Sequence, residues 1–128
     1  MAKRPLKLHV RIPPYRSPRN AWRRAIHAAA TQALQRGGVR YDKADRLEVE
    51  VRLYLTGRAL GWHDLDNRLK DVLDALQGRA GGPKAKRSLA PLVPNDRQIY
   101  RVAVEKHSPP KQSLGGGHIT IRRLRSGK

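Results

Sequence analysis

The chain has 128 residues, enough for one domain with a modest core. It carries 28 lysines and arginines against 10 aspartates and glutamates, a formal net charge of +18. So large an excess favours a polyanionic partner, usually nucleic acid. No apolar run approaches the ~20 residues of a membrane-spanning helix, and the amino end lacks the apolar core of a signal peptide. There is no cysteine for a disulfide or a thiolate zinc site, so we expect a cytoplasmic protein without a membrane partner.

Four segments are predicted as strands, and two of them, residues 6–12 and 45–56, show the alternation of apolar and polar side chains that marks a strand with one buried face. The clearest covers residues 45–56, where leucines and valines alternate with charged residues and a tyrosine. The others cover residues 6–12, residues 99–106 and residues 118–124. We therefore predict four strands that share one core.

A helix is predicted over residues 21–35, between the first two strands. Asn20 is its expected N-cap, and Gly37-Gly38 closes it. Arg23 and Arg24 lie off its apolar stripe, where solvent is the common partner of such a pair and phosphate the alternative.

A second helix follows in residues 62–78, the most informative stretch of the chain. Its apolar positions recur at intervals of three and four and comprise Leu65, Leu69, Val72, Leu73 and Leu76. Asp66, Lys70 and Asp74 follow at i, i+4 and i+8 and line a neighbouring face. Because Asp64 would point away from Asp66 on a continuous helix, we place Asp64 at the end of the preceding loop, so that Asp66 or Asp64 is the N-cap.

These carboxylates allow two interpretations. Capping of an ordinary amphipathic helix explains one aspartate without any chemistry. Alternatively, Asp64 and Asp66 converge on a hard cation such as Mg²⁺, which takes one or two carboxylates and keeps several waters. Asp71 and Asp74 lie nearby, in a chain with few acids. A clustered set of acids in a basic chain favours metal-dependent phosphodiester chemistry, because carboxylates facing phosphate repel it unless a metal lies between them.

Residues 78–94 are rich in glycine, proline and lysine or arginine, which predicts a mobile basic loop. Disorder alone explains that composition, and a flexible basic segment that wraps around DNA explains it equally well. Another basic stretch is the C-terminal tail. From charge alone, the candidate DNA contacts are Arg16, Arg19, Lys84, Lys86 and Arg87.

The expected fold is a single α/β (α+β) domain over residues 1–128. Its element order is β-α-β-α-β-β, with two main helices and a mixed or antiparallel sheet. Internal repeats are absent from the sequence.

Three motifs occur in order along the second half of the chain. They are Asp64-Leu65-Asp66-Asn67 with Lys70, then Asp74-Ala75-Leu76, and finally Asn95-Asp96-Arg97-Gln98 before a strand. In this set the chain resembles the RusA family of Holliday-junction resolvases, over roughly residues 5–107. Two departures are visible: Asn95 stands where the family has the first acid of its later pair, and residues 78–94 are longer and more basic than the family pattern.

The resemblance implies a homodimeric endonuclease of DNA recombination and repair that binds four-way DNA junctions. Such an enzyme nicks two strands symmetrically and uses Mg²⁺ or Mn²⁺. Carried onto this sequence, the metal-binding and catalytic acids are Asp64, Asp66 and Asp96, with Lys70 as the catalytic lysine. These roles fit general chemistry, since carboxylates hold the metals that activate a water and a lysine neutralises developing charge.

Other functions stay open at this point. A non-catalytic DNA- or RNA-binding module of the same fold explains the composition equally well, but gains nothing from carboxylates that face phosphate. A metal nuclease acting on RNA or on flaps is not separated from a junction resolvase by sequence. A ribosomal-type structural protein is the remaining alternative, and the clean strand alternation counts mildly against it.

Overall fold

The computed structural model describes residues 7–16, 18–55, 64–81, 86–109 and 116–124. In chain order its elements are β1 (Lys7–Ile12), α1 (Arg19–Gly37), β2 (Arg46–Tyr54), α2 (Leu65–Leu76), β3 (Arg79–Gly81), β4 (Lys86–Arg87), a 3₁₀ turn (Asp96–Gln98), β5 (Ile99–His107) and β6 (Gly116–Leu124). The main elements follow the predicted order β-α-β-α-β-β, which confirms the α/β fold class. The short strands β3 and β4 are additional.

The four long strands form one mixed sheet in the order β1-β6-β2-β5. The central strand β6 is antiparallel to both β1 and β2, whereas β2 and β5 are parallel. Ile12 of β1 and Leu53 of β2 pair with the same residue of β6, Gly117. The strands β1 and β2 therefore end at the same edge of the sheet, and β2 and β5 begin together at the opposite edge.

Alternation along β2 builds the centre of the core, as predicted, although Glu48 on its polar side is also buried. In β2 the side chains of Leu47, Val49, Val51 and Leu53 are buried, while their charged neighbours Arg46, Glu50 and Arg52 are exposed. Both helices cover the apolar face: α1 packs against β1 and α2, and α2 also reaches β5. The apolar stripe of α2 joins this core through buried Val72, Ala75 and Leu76 and through partly buried Leu69 and Leu73.

The start of α1 differs from the prediction. Pro18 is the N-cap, without a side-chain hydrogen bond, and the helix begins at Arg19. Asn20 lies inside the first turn, and its Oδ1 accepts a hydrogen bond from Nη1 of Arg23 at 2.9 Å. The prediction of Asn20 as N-cap is therefore wrong, because its side chain is used by a buried arginine. At the other end Gly38 adopts the left-handed conformation at φ 65°, as a C-terminal cap requires.

The segment predicted as a loop over residues 78–94 returns to the end of α2 in its described parts. Its strands β3 and β4 pair antiparallel. The amides of Leu92 and Val93 both donate to the carbonyl of Leu76, at 2.8 and 3.0 Å, and Val93 is fully buried. This anchoring contributes two core residues that the composition did not suggest. Mobility of the segment stays a prediction, and residues 82–85 and the tail at 125–128 lie outside the described residues.

Gly78 ends α2 in a place where no other residue fits. Its φ is 78°, and its carbonyl accepts hydrogen bonds from the amides of Ser88 and Leu89. A Cβ at Gly78 would lie 2.1 Å from the carbonyl oxygen of Leu89, whereas a Cβ at Gly38 meets nothing within 4 Å. The two glycines therefore share positive φ but differ in the space around them.

We expect Gly78→Ala to lower the free energy of unfolding by about 3 kcal/mol and Gly38→Ala by about 1 kcal/mol. Both variants carry the left-handed strain of a Cβ, about 1–2 kcal/mol, and only Gly78→Ala also displaces backbone that accepts or donates hydrogen bonds, at about 1 kcal/mol each. Urea unfolding followed by circular dichroism measures both. Equal losses would contradict the packing at Gly78.

Candidate active site at the start of the second helix

Asp64 is the N-cap of α2. Its backbone is extended, with φ −78° and ψ 124°, and its Oδ1 accepts a hydrogen bond from the amide of Asp66 at 3.0 Å. The first intrahelical bond follows, from the amide of Arg68 to the carbonyl of Asp64 at 3.1 Å. The capping interpretation thus accounts for one oxygen of Asp64, and the cap leaves its second oxygen unused.

The side chains of Asp66 and Lys70 lie on the surface of the first turns of α2. Asp64, Asp66 and Lys70 are all exposed. Because residues four apart share a helix face, the Lys70 ammonium lies on the face of the Asp66 carboxylate. The N-terminus of α2 therefore carries two solvent-facing carboxylates, Asp64 and Asp66. Lys70 follows one helical turn after Asp66, so the site is open to solvent and offers oxygen donors next to one ammonium group.

The donor chemistry of this site fits Mg²⁺. That ion takes oxygen ligands, keeps several waters and is often bound by only one or two carboxylates. Exposed carboxylates leave room for those waters, whereas a buried pair would not. Among the residues described, however, no group of three histidine or acidic side chains is placed to hold a metal. The site within one chain therefore offers the carboxylates of Asp64 and Asp66.

The third predicted acid, Asp96, lies elsewhere in the fold. It opens the 3₁₀ turn before β5, and its side chain is outside the described part of the structure. Gln98 ties this turn to the segment before β2, because its Nε2 donates to the carbonyls of Asp42 and Asp45 at 2.7 and 2.9 Å. Asp96 is thus held at the edge where β2 and β5 begin.

The first turn of α2 lies at the other edge. Its Arg68 guanidinium stands 4.1 Å from the ring centre of Tyr15, just beyond the end of β1. A nine-residue strand such as β2 is roughly 25 Å long at 3.3 Å per residue. The fold of one chain therefore does not bring the backbone of Asp96 to Asp64 and Asp66.

Directly beneath the site lies a buried ionic cluster centred on Asp71, whose side chain is fully buried. Its Oδ1 accepts hydrogen bonds from Nε of Arg19 at 2.9 Å and from Nε of Arg23 at 3.1 Å. Its Oδ2 lies 3.4 Å from Nη2 of Arg68. The cluster joins the first turns of α1 to the middle of α2, so it fixes where the N-terminus of α2 and its carboxylates stand.

Arg68 is held mainly by aromatic rings. Its guanidinium carbon lies 4.1 Å from the ring centre of Tyr15 and 6.0 Å from that of Trp22. Its Nε and Nη1 are buried without a hydrogen-bond partner among the residues described. Cation–π contact with two rings offsets part of that desolvation. Trp22 is itself oriented by its Nε1, which donates to the carbonyl of Pro13 at 3.0 Å.

Asp74 extends the cluster towards the surface. Its Oδ2 lies 3.3 Å from Nη2 of Arg23. Burial raises the pKa of Asp74 above its ordinary value, and the charges of Arg23, Lys70 and Arg79 oppose that rise. Asp74 is thus part of the helix–helix contact rather than of the open site.

The predicted DNA contacts fall into three groups. Arg16 is exposed. Arg19 is committed to the internal ion pair with Asp71, with 43 % of its side chain still exposed. Lys86 and Arg87 form β4, but their side chains are outside the described residues, as is the whole of Lys84. The contacts of these three residues with DNA therefore stay predictions.

The buried roles of Arg23, Arg68 and Asp71 are not predicted from the sequence. The expectation of a solvated or phosphate-binding Arg23 is wrong, because its side chain is 6 % exposed and faces two carboxylates. A signal was present in α2. The positions that are buried, Arg68, Asp71, Val72, Ala75 and Leu76, have helical spacing, so two opposite charges lie on the core stripe.

Comparison of the chain with models of protein families and with curated proteins finds no match. In the described part of the chain, no helix is long and apolar enough to cross a lipid bilayer.

We expect Asp71→Asn to lower the free energy of unfolding by about 3–5 kcal/mol, because it leaves Arg68 buried without a counter-charge and Arg23 with Asp74 as its remaining carboxylate. Glu105→Gln is the matched control, since it removes a carboxylate that is 56 % exposed and paired with Arg52 at 3.5 Å. Exposed pairs contribute little, so this control should change stability little. Denaturant unfolding measures both, and equal effects would contradict a structural role for Asp71.

Proposed function

We propose that the chain is a metal-dependent endonuclease that acts on branched DNA, with four-way junctions as its substrate. The observation that carries the proposal is the open arrangement of Asp64, Asp66 and Lys70 on the first turns of α2. These carboxylates are exposed in a chain with a net charge of +18. A surface built to meet phosphate gains nothing from bare carboxylates, so their placement favours a bridging cation.

The chemistry follows from the side chains present. Bound Mg²⁺ or Mn²⁺ polarises a phosphodiester and lowers the pKa of a water. Asp64 and Asp66 would hold the ion at the helix N-terminus. The Lys70 ammonium, one turn on, neutralises negative charge that develops on the phosphoryl or leaving oxygen. The buried cluster around Asp71 holds this constellation still, because it fixes α2 against α1.

The choice of substrate is supported by the motifs rather than by the site. The order of Asp64-Leu65-Asp66-Asn67, Lys70 and Asn95-Asp96-Arg97-Gln98 resembles junction resolvases. Four-way junctions are nearly two-fold symmetric, and paired nicking of such a substrate suits a homodimer. The excess of basic residues supplies affinity for phosphates that does not depend on sequence.

A dimer also gives Asp96 a place in the site. Because Asp96 and the first turn of α2 lie at opposite edges of the sheet in one chain, we propose that each active site takes Asp64 and Asp66 from one chain and Asp96 from the other. A two-fold axis that brings the two edges together forms both sites at once.

A non-catalytic module that binds structured DNA is the second candidate. One observation favours it: Asp64 already has a structural task as the N-cap, bonded to the amide of Asp66. In that case, Asp66 and Lys70 are ordinary surface residues at i, i+4 spacing. Cleavage assays separate the two candidates.

For the enzyme, we expect Asp66→Asn to reduce junction cleavage about 100-fold or more, since metal-assisted charge stabilisation contributes several kcal/mol. The fold should be unchanged, because the helix cap uses the backbone amide of Asp66 and not its carboxylate. Glu50→Gln, an exposed acid on β2, is the control. A synthetic four-way junction and a linear duplex of the same sequence, each with Mg²⁺ or with EDTA, provide the measurement. If the native chain binds the junction tightly but does not nick it in the presence of metal, the nuclease proposal is contradicted and the non-catalytic binding module is supported.

Mixing inactive variants tests the shared site. We expect Asp66→Asn and Asp96→Asn chains to be inactive alone and to recover nicking of one strand when refolded together. The mixed dimer then has one site with native Asp66 from one chain and native Asp96 from the other. If both acids belonged to the same chain's site, the mixed dimer would have no intact site and no activity would return. Gel analysis of labelled junction strands distinguishes one nick from two.

A further inference from the structure

An exposed tyrosine stands at the start of β5, far from the first turn of α2. Tyr100 is 63 % exposed. It borders an open depression of about 380 Å³, whose lining also includes Lys43, Asp45, Arg46, Asn95 and Arg97. That volume lies within the range of roughly 300–1,000 Å³ typical of small-ligand sites. None of these residues belongs to the candidate active site.

The pairing of β2 with β5 is interrupted at Tyr100. Leu47 pairs with Ile99, but the next residue of β2, Glu48, pairs with Arg101. Tyr100 is therefore the extra residue of a bulge and has no partner on β2. Bulges re-aim a side chain, and they occur often beside functional sites.

One face of the Tyr100 ring is already occupied by a cation. The guanidinium carbon of Arg46 lies 5.1 Å from the ring centre. This contact orients the ring, and the high exposure of Tyr100 shows that much of the rest of its surface is open to solvent. An oriented ring with an open face is a stacking platform.

The charge around the platform is positive. Lys43, Arg46 and Arg97 are exposed, and none of them has an ion-pair partner within the described part of the chain. The one carboxylate in the lining whose position is described, Asp45, is engaged elsewhere: its Oδ2 lies 3.2 Å from Nε of Arg123 and accepts from the amide of Asp42 at 2.8 Å. Three unneutralised cations therefore surround one exposed aromatic ring.

We infer that this depression binds an unpaired nucleotide of DNA, whose base stacks on Tyr100 and whose flanking phosphates contact Lys43, Arg46 and Arg97. Aromatic stacking combined with backbone neutralisation is the physical basis of single-strand recognition. The inference deepens the proposed function and rests on it, since branched DNA is the source of unpaired bases.

The test measures DNA binding in EDTA, so that no cleavage is needed. Fluorescence anisotropy follows a labelled oligo(dT) and a duplex of equal length at several salt concentrations. The variants are Tyr100→Ala, Tyr100→Trp and Arg97→Gln. Arg36→Gln, an exposed arginine in the last turn of α1, is the control for loss of one positive charge. Thermal melting checks that each variant is folded.

We expect Tyr100→Ala to weaken oligo(dT) binding about 10-fold, since stacking contributes about 1–3 kcal/mol per base. Duplex binding and the salt dependence should stay the same, because tyrosine carries no charge. Tyr100→Trp should restore the affinity. Arg97→Gln should lower the slope of log affinity against log salt by about 0.7 for single strands, and Arg36→Gln should leave that slope unchanged.

Native-like oligo(dT) binding by Tyr100→Ala would overturn this inference and leave the proposed nuclease standing. A change in oligomeric state on Tyr100→Ala, seen by sedimentation, would assign the surface to a second copy instead. Loss of binding to an RNA oligonucleotide alone would assign it to RNA. A native chain that binds neither DNA form would overturn this inference and the proposed function together.

Discussion

The fully buried carboxylate of Asp71 is the interaction on which the arrangement of the two helices depends. A carboxylate taken out of water costs several kcal/mol unless its partners are well placed. Here Arg19 and Arg23 donate to one of its oxygens, and Arg68 lies beside the other. Those partners come from both helices, so the charge is compensated only when α1 and α2 dock in one register. The position of α1 therefore determines the position of the N-terminus of α2.

That register matters because the exposed site has little internal support of its own. Asp64 is held by a single cap hydrogen bond, and Asp66 and Lys70 extend from the surface of α2. Side chains of this kind can converge on a cation only if the helix that carries them does not move. Arg68, clamped between Asp71 and the ring of Tyr15, anchors the same helical turn from below. The buried part of the candidate site is therefore ionic, while its carboxylates are open to water.

Much of the fold was predictable from local pattern. The alternation of Leu47 to Leu53 defined β2, and the spacing of Val72 and Leu76 defined the buried face of α2. Both patterns are fixed by the period of the backbone, so neither needs knowledge of a distant residue. The sequence allowed either Asp64 or Asp66 as the N-cap of α2, and the structure shows that it is Asp64.

What could not be predicted depends on residues far apart in the chain. Arg23 and Asp71 are separated by 48 positions, and each alone has the composition of a solvated surface. Only their juxtaposition explains their burial. The bulge at Tyr100 arises from a register shift between two strands, which no single-strand pattern reveals. Likewise, the return of Leu92 and Val93 to the end of α2 depends on the carbonyl of Leu76.

If Asp64, Asp66 and Asp96 act together as proposed, both edges of the sheet contribute to one active site. In the proposed dimer, an Asp96 that reaches the first turn of α2 in the other chain carries its own neighbourhood with it. That neighbourhood includes Arg97 and Tyr100, which follow Asp96 closely in the chain and border the same depression. The stacking platform of one chain would then lie beside the carboxylates of the other. An unpaired base at the branch of a junction could stack on Tyr100 while the adjacent phosphodiester meets Asp64 and Asp66, so selection of branched DNA and cleavage would depend on the same contact between chains.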